Sequence, residues 1–563
     1  MKTQQDVIVV GGGHNGLICA ATLAKAGARV LVLERRERLG GCTDTSAPWP
    51  EHPEFRVNTY SYVAGLMPRR IVGDLELHRH GLRIHALGPY FLPSPEGRTL
   101  TLFHDHRRCY EQIARFSRRD AEAYPRWEEW LTGMADIVWP IFTEVPPRLG
   151  SLRVRDLLST AEMAWRVRGL GVRGVADLTR LFTASVREIL DDWFESDELK
   201  ALLAMTATVG AWAGPDTPGT GYVLLHLSMG DSADGHVGGW GFCQGGMGGL
   251  ADACRGAAEA RGVRIRTGAE VAEIMTAGGR VRGVVLADGE ELAAPVVVST
   301  IHPKLTFLEL LDPRSLPPDF VADIRRFKCR GGAVKINLAT ARLPRFLGAE
   351  EGVAAGGVGE YHRGSIELAV SPDYVQAAFD DASAGRPAAH PVADVTIPSA
   401  SDPTLMPEGL HCVSIYSQWV PHEWHEDPHR DEVEAFADRV IAALERVSPG
   451  FGDAVLARQV LGPWDMESEL GLVGGNVYGG ELTIDQLFHL RPAPGFADYR
   501  SPVEGLYNGS AGAHGGGGVS GIPGWQAARQ ATQDVRRRLR STTSRSSPQA
   551  TSTRRRWTNR NQK

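Results

Sequence analysis

Apolar positions at the start of the chain fall into two short runs with a helical stretch between them. Val7-Ile8-Val9-Val10 is uninterrupted and reads as a short strand. Residues 17–27 have helical character, and Val30-Leu31-Val32-Leu33 is a second apolar run that ends in Glu34. The stretch from about 70 to 235 is mostly helical by periodicity, with Trp127, Trp130 and Trp139 on an apolar segment that breaks at Pro146-Pro147. A glycine-rich loop at 238–249 precedes a helix at 250–261. Short strands follow at 263–266, 270–274 and 280–286, with a hairpin turn at Asp288-Gly289 and a buried strand at 295–300. A mixed region from about 310 to 460 includes an alternating strand at 411–420. Residues 505–512 read as strand into turn, 514–521 as a glycine loop and 522–539 as a helix.

Between the first two runs stands Gly11-Gly12-Gly13-His14-Asn15-Gly16. Strand, glycine turn, helix, strand and acid in this order form the dinucleotide-binding fingerprint in its required context. Gly11 permits the tight turn, Gly13 lets the backbone approach a pyrophosphate, and Gly16 lets the helix pack close to the strand. His14 and Asn15 sit between the fingerprint glycines, ahead of a helix whose N-terminus offers free N–H groups to phosphates. Glu34 is placed to accept hydrogen bonds from a ribose diol. Arg35, Arg38, Gly40 and Gly41 extend the pattern.

FAD, NAD and NADP all suit this fingerprint, and three features favour FAD. One is the extension through Arg38, Gly40 and Gly41. Another is the 263–300 segment, including Val271, which resembles the part that packs beside the adenosine in FAD proteins. The third is the loop containing Gly512, Gly518 and Val519, which offers a second helix N-terminus. No second strand-bound fingerprint is present, so no separate nicotinamide domain is expected.

A length of 563 residues allows about two to four domain-sized units. The net charge of −6 gives no reason to expect nucleic-acid binding, and no apolar run approaches the ~20 residues that span a bilayer. The N-terminus reads as the fingerprint, not as a signal peptide. Seven scattered cysteines without a C-x-x-C pair argue against a disulfide framework or a zinc site and for a reducing, cytoplasmic setting. No grouping has metal-ligand spacing, and no G-x-S-x-G elbow is present. The Ser/Thr/Arg-rich tail from about 541, with Arg554-Arg555-Arg556, reads as a disordered, solvated extension.

The N-terminal fingerprint, Gly40-Gly41 and the C-terminal Gly512-x-His514-x-x-Gly517-Gly518-Val519-x-Gly521 resemble the phytoene desaturase and carotenoid oxidoreductase superfamily of amine-oxidase-like flavoproteins. Ile397-Pro398-Ser399, Asp402-Pro403-Thr404-Leu405 and Gly474-Gly475-Asn476 with Asp485-Gln486-Leu487 are similar to one branch of it, which holds the pyridine nucleotide-disulfide oxidoreductase domain-containing protein 2. Where many relatives place an arginine after the paired glycines, this chain has Cys42.

The resemblance implies an α/β fold: a Rossmann-like FAD-binding domain of glutathione-reductase type, with an interleaved mixed α+β substrate domain. The FAD part is expected from 1–70, 236–310 and 462–540, and the substrate part from 71–235 and 311–461. It further implies a FAD-dependent dehydrogenase or desaturase of a C–C bond in an apolar or polyene-like small molecule, with peripheral membrane contact a feature of the family. Oxidation of a C–N or C–O bond, and a flavin-bound partner protein with little turnover, stand as alternatives. The sequence fixes neither the electron acceptor nor the oligomeric state.

His514, in the loop expected to face the flavin, and Tyr478 are the catalytic candidates. Gln418 and Trp419 are candidate pocket residues, and Asp485 is a candidate helix cap or base. The charged groups at 360–363 and 380–381 would argue against a long hydrocarbon if they lined the pocket. The aromatic stretch 127–142 is a buried helix, a tunnel wall or a membrane-resting face.

Overall fold

The computed structural model describes residues 5–230, 239–349 and 357–545. Val7–Val10 is the central strand of a five-stranded parallel sheet ordered Leu506–Asn508, Val297–Ser299, Val7–Val10, Val30–Leu33, Arg264–Arg266. Its uninterrupted apolar run has a direct cause. Val7 and Val9 pack into one core with Leu17, Ala21 and Ala527, while Ile8 and Val10 pack into another with Ile274, Val284 and Phe307. Neither face meets water, so both sets of positions must be apolar.

Helix His14–Lys25 leaves the sheet through a turn in which Gly11 has a φ of 100°. A Cβ on Gly16 would lie 2.0 Å from the Gly11 carbonyl oxygen, so only glycine allows this approach. Helix Ile522–Arg545 packs against the same helix. The opposite face of the sheet carries an antiparallel meander of Val271–Ala277, Arg280–Leu286 and Glu291–Ala293.

A second, seven-stranded sheet runs in the order Val455–Leu461, Ala333–Thr340, His411–Gln418, Val392–Thr396, Ser365–Leu368, Tyr90–Leu92, Leu100–Leu102. Its pairings are antiparallel except between Ser365–Leu368 and Tyr90–Leu92. Register places Leu461, Lys335, Tyr416, Asp394 and Glu367 side by side across five strands.

Several expectations change. The 70–235 stretch contains the strands Ile84–Ala86, Tyr90–Leu92 and Leu100–Leu102. Each is three residues long, too short to register against helical periodicity in a window of about 11–18 residues. Gly241–Cys243 is a strand paired with Ile84–Ala86, and the next helix begins at Met247, three residues early; Gly238 lies outside the described residues. The strand at 411–420 alternates in sequence, yet Cys412 through Gln418 are all buried. Val413 and Ile415 face the helical core, while Ser414 bonds to Lys335.

The last helix continues to Arg545, so the first five residues of the expected disordered tail are helical, carried on from the turns before them, whose Arg and Leu have high helix propensity. Arg554-Arg555-Arg556 lies outside the described residues. Among the described residues no helix is long and apolar enough to cross a membrane.

Candidate active site

The C-terminal ends of the parallel strands open onto a cavity bounded by Val10, Leu33, Thr300 and Ser510. Of the predicted cofactor residues, Gly11, Gly13, His14, Asn15 and Glu34 line it, as do Arg35, Gly41, Val271 and Gly512. Glu34 is fixed at the far end. Its Oε2 accepts from the Gly12 amide at 2.6 Å and its Oε1 from the Arg36 amide at 3.0 Å. Each oxygen keeps a lone-pair direction free for a ribose hydroxyl.

Arg35 spans the cavity rim and donates to the Ser468 and Glu469 carbonyls, both at 2.8 Å. Asn15 Oδ1 is buried without a partner, and a Cβ on Gly13 would meet no chain atom closer than 3.7 Å. The open glycine at a helix N-terminus suits a dinucleotide pyrophosphate, and the orphan amide oxygen would accept from a hydroxyl of the ribityl arm.

Three predicted residues shape this cradle without lining it. Gly16 permits the helix–strand approach, and a Cβ on Gly40 would lie 2.5 Å from the Thr43 carbonyl oxygen. Arg38 turns away to pair with Asp44 at 3.1 Å.

A second cavity shares His14, Cys42, Leu472 and Ala511 with the first, so the two are contiguous. Gly518 and Val519 line this second cavity, with Val63, Val209, Leu227, Met466 and Val477. Tyr60, Tyr62, Tyr416, Tyr478 and Trp240 complete its wall. Two of the tyrosine hydroxyls, those of Tyr62 and Tyr478, point into the protein, and that of Tyr60 reaches the exposed Glu469 at the rim of the first cavity. Tyr60 donates to Glu469 at 2.5 Å, Tyr62 to Asp394 at 2.5 Å and Tyr478 to the Val209 carbonyl at 2.7 Å. Tyr416 Oη is buried without a partner.

Lys335 also lines this cavity, although it is wholly buried. Its Nζ donates to Asn337 Oδ1 at 2.5 Å and to Ser414 Oγ at 2.7 Å. Burial pushes its pKa down to about 7. Behind Tyr62, the Ser365 hydroxyl donates to Asp394 and lies 3.1 Å from Glu367 Oε1. Burial raises the pKa of both carboxyls, and Asp394 adds repulsion at Glu367. Sequence reasoning missed Lys335. Its signal was a lone lysine inside the Ala333–Thr340 strand.

Comparison with known proteins fits this geometry. The model of the NAD(P)-binding Rossmann-like domain matches residues 9–67, and that of the flavin-containing amine oxidoreductases matches residues 160–442. Pyridine nucleotide-disulfide oxidoreductase domain-containing protein 2 of Rattus norvegicus is 39% identical over 556 residues, covering 95% of this chain and 94% of that protein. The chain belongs to the flavin-containing amine oxidoreductase family.

A limonene dehydrogenase chain of Castellaniella defragrans is 26% identical, covering 94% of this chain and 95% of that protein. A double mutant of putrescine oxidase shares the fold, with a TM-score of 0.60 at 16% identity over 95% of this chain and 99% of that one. The chain is therefore a FAD-binding oxidoreductase with an amine-oxidase-like α/β fold, and the first cavity is the candidate FAD site.

In this flavoprotein His514 takes a different place from the one the sequence suggested. Its Nε2 sits 3.1 Å from the Ile141 carbonyl oxygen, its ring packs near Phe142 and Phe488, and it lines neither cavity. Burial pushes its pKa down to about 4. The glycine loop carries it inward, so it ties that loop to helix Arg118–Thr143. Tyr478, by contrast, lines the second cavity with its hydroxyl engaged.

Gln418 bonds to the Thr208 carbonyl and the Gly210 amide, and Trp419 to the Ala211 carbonyl, so both brace the loop that carries Val209 to the second cavity and neither lines the cavity itself. Asp485 pairs with Lys328 at 2.8 Å on the surface, too far out for a base. Glu360 pairs with Arg108, His362 with the Pro344 carbonyl, and Asp381 with Arg386; none lines either cavity. Trp127 is buried among Trp130, Trp193 and Phe194, which removes it from both tunnel and surface.

Proposed function

We propose that this flavoprotein dehydrogenates a carbon–carbon bond in a mainly apolar small molecule held in the second cavity. The observation that carries this reading is the inward turn of the Tyr62 and Tyr478 hydroxyls. With these two groups engaged in the wall, the cavity offers a substrate mainly ring faces and the methyl groups of Val63, Val209 and Leu227, with Lys335 and the Tyr416 hydroxyl as its polar points. Such a surface binds hydrocarbon by area and excludes water from the reacting C–H bond. FAD, when bound, accepts the hydride equivalent removed from substrate. Gly518 and Val519 border the same space from the C-terminal loop. The limonene dehydrogenase chain, which by its name acts on an apolar substrate, supports the reading.

A second reading, oxidation at a C–N or C–O bond, is favoured by Lys335 and Tyr416. The amine has a pKa pushed to about 7, so it is able to take a proton, and Tyr416 Oη is free to bond a substrate heteroatom. The aromatic wall and the fold of putrescine oxidase fit this reading as well. Anaerobic mixing of the FAD-loaded protein with a panel of unsaturated terpenes, amines and alcohols decides between them. Bleaching of the flavin band by a terpene is expected. Bleaching by amines or alcohols alone would replace the first reading with the second.

A further inference from the structure

Arg491 is wholly buried, and its charge has no carboxylate partner among the described residues. Backbone carbonyls hold the guanidinium instead. Its Nε donates to Ala513 at 3.3 Å, its Nη1 to Glu481 at 3.1 Å, and its Nη2 to Tyr478, Gly480 and Ala511 at 3.1, 3.3 and 3.1 Å. Glu481 gives Arg491 only its carbonyl, because its carboxylate is bonded by Arg330 at 2.8 and 2.9 Å. Around the guanidinium, burial pushes the Cys329 thiol and the Tyr222 hydroxyl up and the His226, His302 and His514 rings down, so all five are neutral at pH 7. Burial lowers the pKa of Arg491 too, to about 10, which leaves it charged there.

The carbonyls it binds belong to the wall of the flavin site. Tyr478 lines the second cavity, and Ala511 lines both, at their junction. Gly479 and Gly512, the residues that follow them, line the first. A trans peptide sets its C=O and N–H on opposite edges. With the Ala511 carbonyl turned to Arg491, the Gly512 N–H faces the other way, and it has no acceptor among the described residues. A staple for these loops needs no charge: Asn476 ties the neighbouring turn with a neutral amide. Burying an unpaired cation costs more than burying an amide, so the charge itself calls for a role.

We propose that Arg491 tunes the flavin. Its charge, and the Gly512 N–H that it orients, stabilise the net negative charge that uptake of two electrons and one proton gives FAD, and so raise the reduction potential. Arg491 lines neither cavity, so it is a positioning residue that acts through the peptides between. The inference rests on the first cavity as the FAD site and on neither substrate reading.

Anaerobic reduction of the FAD-loaded protein against reference dyes gives its potential. Titration with sulfite, which adds to the flavin and leaves it anionic, is an independent measure of how well the site holds that charge. The parent's two-electron reduction constant is expected at least tenfold above that of free FAD, a shift of about 30 mV, with sulfite bound at least tenfold more tightly. Arg491→Met should lose both gains, whereas Arg491→Lys, which keeps the charge with fewer donors, should retain most of each despite a lower Tm. A merely structural arginine would lower Tm and FAD content in both variants without moving the potential of the flavin that stays bound. A parent potential at or below that of free FAD overturns the proposal, and this measurement stands even where Arg491→Met fails to fold. An Arg491→Met variant with the parent's potential, or an Arg491→Lys variant that falls as far as Arg491→Met, overturns it as well. A parent that binds no FAD removes the flavin site itself, and the proposal with it.

Discussion

The Gly12 amide donates a 2.6 Å hydrogen bond to Glu34 Oε2, joining the glycine turn to the tip of the second strand across twenty-two residues. With the Arg36 amide on the other oxygen, the carboxylate is held rigid at the ribose end of the cradle. Replacing Glu34→Ala removes an ionised acceptor, an interaction worth about 1.5–3 kcal/mol. A fall of about ten- to a hundred-fold in FAD affinity is expected, read by quenching of flavin fluorescence on titration. Affinity within twofold of the parent would show that Glu34 only braces the turn.

Gly13 and Gly16 lie three residues apart and answer to different demands. A side chain on Gly16 strikes the Gly11 carbonyl, whereas one on Gly13 enters open cavity. Gly16→Ala is expected to destabilise the apoprotein by about 3 kcal/mol or more through backbone displacement. Gly13→Ala should leave the apoprotein's denaturation midpoint unchanged yet yield colourless protein. A yellow Gly13→Ala variant with undiminished FAD content would remove Gly13 from the pyrophosphate site.

This contrast shows what was legible in the sequence. The fingerprint could be read because each residue answers to local geometry: turn, helix entry and strand tip. The short strands at 270–274 and 280–286, the turn at Asp288-Gly289 and the buried strand at 295–300 were legible for the same reason. The substrate cavity was not, because Tyr62, Lys335, Tyr416 and Tyr478 come from segments far apart in the chain. His514 misled because a glycine loop specifies where the backbone bends but not which way its histidine turns. Asn476, part of the motif that carried the resemblance, is a loop staple: its side chain holds the Arg330 carbonyl and the Tyr478 and Gly480 amides.

Lys335 makes alkaline stability diagnostic. Its folded pKa, pushed down to about 7, lies below its unfolded value near 10.5. Between these values the unfolded chain binds the extra proton, so this residue's contribution to stability rises with pH from about 7 to 10.5. The slope approaches about 1.4 kcal/mol per pH unit. Subtracting the urea-denaturation profile of Lys335→Met from that of the parent isolates the effect. A flat difference between pH 7 and pH 10 would mean the ammonium stays charged when buried. In the reductive half-reaction, the parent's rate should climb through pH 7 for an amine or alcohol substrate and the variant's should not.

His226 and His514 contribute to the acid limit, alongside His14 and His302, whose values burial lowers likewise. Burial lowers the pKa values of His226 and His514 to about 3 and about 4. The unfolded chain takes up protons on these residues first, so the stability they support is present above about 6.5 and is lost as pH falls toward 4. His514→Asn keeps a side-chain N–H donor available for the Ile141 carbonyl without the titration. The variant should therefore lose less stability than the parent between pH 6.5 and 4.5, as thermal melts at each pH would show. An equal loss in both would place the acid sensitivity elsewhere.

The Asp394–Glu367 pair acts in the opposite direction. Both carboxyls are buried beside one another with Ser365 between them, and both pKa values are raised, Glu367 well above 4.5. The folded protein therefore keeps a proton on this site after the unfolded chain has released it. The pair's contribution to stability falls as pH rises from about 4.5 toward the folded pKa. Glu367 Oε2 is buried without a partner, so ionisation there would leave a bare charge in the wall of the sheet. Glu367→Gln preserves shape and cannot ionise. Relative to the parent it should gain stability steadily between pH 5 and pH 8, measured by urea denaturation at each pH. A protonated-carboxyl stretch present in the parent's infrared spectrum at pH 7 and missing from the variant's would assign the proton to this site. A stability difference that stays constant with pH would show that Glu367 is already ionised when folded, and that Ser365 and Tyr62 suffice to hold both charges.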